Sequence, residues 1–120
     1  MANISTKSEL LAQVLSVSPV GSIWSVSKDS YEDIRIVLKG FIPFSQQGSW
    51  GLEITDSNRA KLADYVLTQD LGSDIIHTSV SFNGDELFEA FDVMSTISMS
   101  KDFWRENGFD KKFPQLEILV

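Results

Sequence analysis

This sequence predicts an α+β domain, a mostly antiparallel sheet of about five to seven strands with two or three helices. Three observations carry that expectation. Two segments repeat apolar residues at helical spacing: Leu10, Leu11, Val14 and Leu15 in the first, Leu62, Ala63, Val66 and Leu67 in the second. Short runs such as SIWSVSK and WGLEI alternate apolar and polar residues as half-buried strands do. Asn83-Gly84 separates two further runs, and Asn-Gly is the strongest short-range hairpin signal. With 120 residues, 42% of them hydrophobic, and no repeat, low-complexity tract or linker, the chain reads as one domain over 1–120 that can bury a core by itself.

In chain order, Thr6-Lys7-Ser8-Glu9 has capping-box spacing and starts the first helix, which Pro19 and Gly21 end. Strands follow over 22–28, with Trp24 and Val26 on one face, and over 33–39, with Ile34, Ile36 and Leu38 on one face. A turn over 28–33 joins them. FIPFSQQG, over 41–48, reads as a loop because it holds Pro43 and ends in a polar run with Gly48. It leads to a strand with Trp50, Leu52 and Ile54 on one side. Asp56 or Ser57 caps the second helix, which ends at Gly72.

The stretch after Asn83-Gly84 admits two readings. As a helix it aligns Leu87, Phe88, Phe91 and Met94; as a strand it sets Leu87 and Phe91 across from Val80 and Ile76. The β-branched content of 75–82 and the Asn-Gly pair favour the hairpin. Its register puts Asp85 and Glu89 on the face of Leu87 and Glu86 on the other, spreading the carboxylates over a ribbon. STISMS then makes another strand, Ser100 caps a short helix closed by Gly108, and 113–120 ends the chain as a strand buried on both faces.

Charge is unevenly placed. Residues 62–100 contain no Lys or Arg but seven acids, Asp64, Asp70, Asp74, Asp85, Glu86, Glu89 and Asp92, while the ten bases and ten acids elsewhere cancel. The net charge of −7 therefore sits in one third of the chain. Nucleic acid and anionic membrane both call for clustered cations, so neither is an expected partner. Absence of cysteine excludes disulfides, thiolate metal sites and cysteine nucleophiles. The N-terminal apolar run is interrupted by Gln13 and lacks a basic leader, so a cytoplasmic address is expected.

Catalytic signatures are missing. Asp85 and Glu86 beside a turn are a poor acid/base pair, because water keeps them ionised. DELFEAFD interrupts the oxygen series of a calcium loop with Leu87, Phe88, Ala90 and Phe91. His77 is the only histidine, and neither a nucleophile elbow nor a phosphate loop is present. No enzyme activity, metal or cofactor is expected. Trp24 and Trp104 have core-like neighbours, whereas Trp50, after a loop, and Tyr31, in an acidic turn, are candidate anchors for a protein interface.

In size, acidity and lack of cysteine, and locally in FNGDELFEAFDVM followed by ISMSKDFW, the chain resembles immunity proteins of bacterial polymorphic toxin systems, including contact-dependent growth inhibition. That resemblance implies a cytoplasmic inhibitor, sufficient as a monomer, that binds a basic nuclease toxin domain. The candidate toxin-binding residues are Asp70, Asp74, Asp85, Glu86, Glu89 and Asp92, with Trp50 and Tyr31. An alternative of another class is an acidic type III secretion chaperone, an obligate dimer holding an effector segment in an apolar groove; a small hydrolase using Asp85 and Glu86 is a third.

Overall fold

The computed structural model describes residues 4–120 and shows an α+β fold. Seven strands form one sheet in the order β2-β3-β1-β4-β5-β6-β7: β1 Ile23–Ser27, β2 Phe44–Gln46, β3 Ser49–Glu53, β4 Thr78–Phe82, β5 Asp85–Phe91, β6 Thr96–Met99 and β7 Ile118–Leu119. All neighbours are antiparallel except β6 and β7 at one edge. Five helices occur among the described residues: α1 Thr6–Val17, α2 Ile34–Val37, α3 Arg59–Thr68, α4 Lys101–Glu106 and α5 Phe109–Lys112. Only α1 and α3 are long.

Alternation explains how these elements stack. Trp24, Val26, Leu52, Val80, Phe88, Ala90, Ile97 and Met99 point to one side of the sheet and are buried with Leu10, Leu11, Val14, Leu15, Leu62 and Val66 of the two long helices. The short helices add Ile34, Phe103 and Phe109 to the same cluster. Residues one step out of phase, among them Ser25, Ser79, Glu89 and Ser98, take no part in it. Helices thus cover one face of the sheet, and the other is left to solvent.

Several expected boundaries move, each for a local reason. α1 starts at Thr6 as expected, but its cap is Ser5, whose hydroxyl accepts the Ser8 N–H at 3.2 Å and is itself held by Asp70. Residues 33–39 are not a strand. The Asp33 carboxylate accepts the Arg35 N–H at 3.0 Å and starts α2, which buries Ile34 and Leu38, four apart, and leaves Ile36 75% exposed. The run satisfied both periods; burial of Ile34 with Leu38 selects the helical one, and the Asp33 cap marks where it starts. The expected loop over 41–48 contains β2, paired with β3 through a turn at Gln47-Gly48.

Asn58, rather than Asp56 or Ser57, precedes α3; its side chain accepts the Thr55 N–H and donates to the Glu53 carbonyl. The helix stops at Thr68, and Gly72 lies beyond, in a 3-10 turn over Leu71–Ser73. Gly72 is needed there for another reason: a Cβ would stand 2.6 Å from the Ser8 nitrogen, so only glycine lets this turn pack on α1. At the C-terminus, β7 is a two-residue edge strand with Leu119 50% exposed, not a strand buried on both faces.

Candidate functional site

The hairpin β4–β5 shapes the uncovered face. Asn83 and Gly84 have φ of 52° and 82°, the left-handed pair that a tight two-residue hairpin requires. From the turn, Phe82 faces Asp85 and Ser81 faces Glu86, but Val80 faces Phe88, so Leu87 has no partner opposite. This bulge reverses the expected alternation beyond it. Phe88 and Ala90 enter the core instead of Leu87 and Phe91, while Phe91 is exposed. Glu86 and Glu89, expected on opposite faces, come together on one.

Register across the sheet turns the open face into rows. Glu53, Ile23, Ser81 and Glu86 form one; Gly51, Ser25, Ser79, Glu89 and Ser98 form the next. With strands ~4.8 Å apart, Glu53 and Glu86 are separated by about 14 Å. His77 sits beside the second row, its ring stacked on Phe91 at 4.3 Å and its Nε2 3.3 Å from Glu89 Oε2. None of these face-forming residues is Lys or Arg.

The Glu86 carboxyl is pushed up from 4.5 to about 7, first by burial against the hairpin and then by the hydrogen bond and repulsion from Glu89, with His77 opposing. A carboxyl raised in this way ionises when a cation is brought beside it. Next to them, Ser25, Ser27, Ser49 and Ser79 line a shallow hollow of about 260 Å³ with His77. Its hydroxyls offer hydrogen bonds in both directions. Among the described residues, no group of three or more His, Asp or Glu side chains is arranged to hold a metal ion.

The other candidates scatter. Asp85 is exposed at the hairpin tip. Asp92 is exposed and opens a turn of three successive left-handed residues, Asp92, Val93 and Met94, with φ of 52°, 55° and 58°. The Val93 N–H donates to the Ile76 carbonyl, and the Lys7 ammonium donates to the Val93 carbonyl at 2.6 Å. Asp70 is a structural clasp: it accepts from the Ser5 hydroxyl at 2.6 Å, the Ser8 hydroxyl at 2.5 Å and the Ser5 N–H at 3.3 Å. These donors hold its pKa below the ordinary carboxylate value.

Asp74 is exposed and lies close enough to Tyr31 to help raise the phenol pKa, behind the larger effect of burial. The Tyr31 hydroxyl is buried with no hydrogen-bond partner among the described residues. Trp50 faces the helix side at the sheet margin, opposite Val26, with Lys28 Nζ 5.2 Å and the Arg35 guanidinium 5.6 Å from its ring centre. Neither aromatic joins Glu86 and Glu89 on the open face.

Sequence reasoning missed Glu53 and the serines of the open face. Their signal was present, since the polar partners in SIWSVSK, SVSF and STISMS are nearly all serine. No helix among the described residues is long and apolar enough to cross a membrane. Comparison with protein-family models, curated proteins and solved structures gives no match to this chain.

Proposed function

We propose that this protein is an immunity-type inhibitor that acts in the cytoplasm by binding a basic nuclease toxin domain, and that it carries out no catalysis of its own. The observation that carries this reading is the uncovered sheet face, on which Glu53, Glu86 and Glu89 stand among serines without a single Lys or Arg. A nuclease gathers Lys and Arg where it grips phosphates, so such a face is complementary to it in charge. Steering brings the partners together. Serine hydroxyls and the exposed Phe91 then supply short-range contacts at low entropic cost.

The test begins with the gene next to this one: a basic nuclease domain encoded there is titrated against the protein by stopped flow across a salt series, and a neighbouring gene without such a domain counts against the reading. Association should quicken as salt falls, because the Debye length of about 8 Å at physiological ionic strength grows. Glu53→Gln, Glu86→Gln and Glu89→Gln together should slow association about tenfold or more with an unchanged melting temperature. Equal rates for parent and triple variant would sink the reading. The chaperone alternative draws on an apolar groove beside β2, and it needs a dimer that does not come apart into folded monomers.

A further inference from the structure

The hollow of about 260 Å³ on the open face has a polarity that its own hydrogen bonds fix. Two adjacent rows build it. Gln46, Ser49 and Ser27 stand opposite one another in the first, Ser25 and Ser79 in the second, and Glu89 follows Ser79 on the next strand, ~4.8 Å along. The Ser25 hydroxyl donates to Gln46 Oε1 at 3.3 Å, and the Ser49 hydroxyl donates to the same oxygen at 2.9 Å. Both serine protons are therefore committed, and each oxygen is left with lone pairs to offer. The Thr78 hydroxyl is used twice, accepting from the Trp24 indole N–H at 2.7 Å and donating to the Ser25 carbonyl at 2.6 Å.

We propose that this hollow takes a guanidinium group, the head of an arginine side chain on the protein that covers the open face, with the Ser25 and Ser49 oxygens and the Glu89 carboxylate as its acceptors. The inference rests on the reading of that face as the docking surface for a basic domain. A guanidinium carries five N–H donors and no acceptor, so it matches acceptors whose own protons point elsewhere. It is also planar and stacks on aromatic rings. His77 borders the hollow with 42% of its side chain exposed, its ring already stacked on Phe91 at 4.3 Å, and supplies an aromatic surface beside the acceptors. A lysine ammonium is more strongly hydrated and loses more on leaving water.

The chain's own nearest base does not fill the place. Lys28, which follows Ser27, is turned to the helix side of the sheet, over the Trp50 ring and bonded to the Ser45 hydroxyl. The rows of the open face also hold no Lys or Arg to meet the carboxylate of a free amino acid. The guanidinium therefore arrives on a protein chain.

Titration with ethylguanidinium, read from the amide NMR shifts of Ser25, Ser49 and His77 at constant ionic strength, tests this without any partner protein. Saturable shifts with a dissociation constant on the order of 10 mM are expected, and tetramethylammonium, a cation without donors, should give none. Ser25→Ala with Ser49→Ala should weaken binding about fivefold or more at an unchanged melting temperature, whereas Ser98→Ala, in the same row beyond Glu89, should not. A capped glycyl-arginyl-glycine peptide should bind at least as tightly as free arginine. Tetramethylammonium binding equally well, no saturation by about 100 mM ethylguanidinium, a double variant that binds like the parent, or free arginine binding about tenfold tighter than the peptide would each overturn the proposal. If the probe fails while a basic domain still associates in a salt-dependent way, the guanidinium site falls and the wider reading stands; if the probe binds and the basic domain ignores the face, the wider reading falls.

Discussion

Replacing Asp70 by alanine should destabilise the fold by about 2–4 kcal/mol while leaving the open face intact. Asp70 accepts from the Ser5 and Ser8 hydroxyls and from the Ser5 N–H, tying the start of α1 to the end of α3. Hydrogen bonds to a charged group are worth roughly 1.5–3 kcal/mol, but these share one acceptor and do not add in full. Ser8 decides the size of the effect. It is fully buried, and its oxygen already accepts the Gly72 N–H at 2.8 Å. Without Asp70 the Ser8 hydroxyl exchanges a short bond to a carboxylate for the longer contact to the Ser5 hydroxyl at 3.2 Å, a loss of about 1–3 kcal/mol, and Ser5 loses its brace as helix cap, about 1 kcal/mol more.

For a domain of this length the melting temperature should fall by roughly 8–16 °C. Asp70→Asn keeps an acceptor oxygen and tolerates the left-handed backbone at this position, φ 49°, so about half the loss is expected. The pH dependence has a definite sign. A depressed carboxylate pKa contributes stability that is present above the unfolded value, 3.8, and is lost as pH falls through the folded value. Circular-dichroism melts of parent and Asn variant should therefore converge below pH 3.8. An alanine variant melting within about 2 °C of the parent at neutral pH would refute the clasp.

Three further outcomes can be measured on the protein alone. Gly72→Ala places a Cβ 2.6 Å from backbone of α1 and should destabilise by about 2–3 kcal/mol in urea titration; Gly51→Ala meets side chains alone, those of Phe44 and Gln46 on the edge strand β2, which can move, and should stay within about 1 kcal/mol. Val93→Asn should raise the melting temperature by roughly 2–4 °C, because a β-branched residue is strained at φ 55° and asparagine is not; a fall would mean that Val93 packing outweighs the strain. Glu86→Gln should make stability less dependent on pH. A raised carboxyl pKa contributes stability that is complete below 4.5 and disappears as pH rises through about 7, so the glutamine variant should gain on the parent toward pH 8, modestly because the site is exposed. Parallel pH profiles for the two proteins would remove the raised Glu86 carboxyl from the account.

Local chemistry made part of this architecture legible. Trp24 and Val26 alternate with serine and are buried, Asn83-Gly84 turns the hairpin with both residues at positive φ, and Ser100 caps α4 through the Phe103 N–H. Each rests on interactions within a few residues, which a sequence exposes directly. The uneven charge is likewise a matter of composition, and its confinement to 62–100 needs no coordinates.

What tertiary structure decided was how those pieces face one another. The run after Asp33 obeyed strand and helix periods alike, and burial of Ile34 with Leu38 chose between them. Asp70 and Trp50 looked like surface contacts until residues distant in the chain, Ser5 and Ser8 for one, Lys28 and Arg35 for the other, enclosed them. The candidate face depends on a single unpaired residue, Leu87, because one extra residue in a ladder with period two moves every later side chain to the other side. That bulge joins Glu86 to Glu89 and leaves Phe91 outside. Pairing is a long-range property: composition determined that the carboxylates would be many and unopposed, but only the register between β4 and β5 determined that they would share a face.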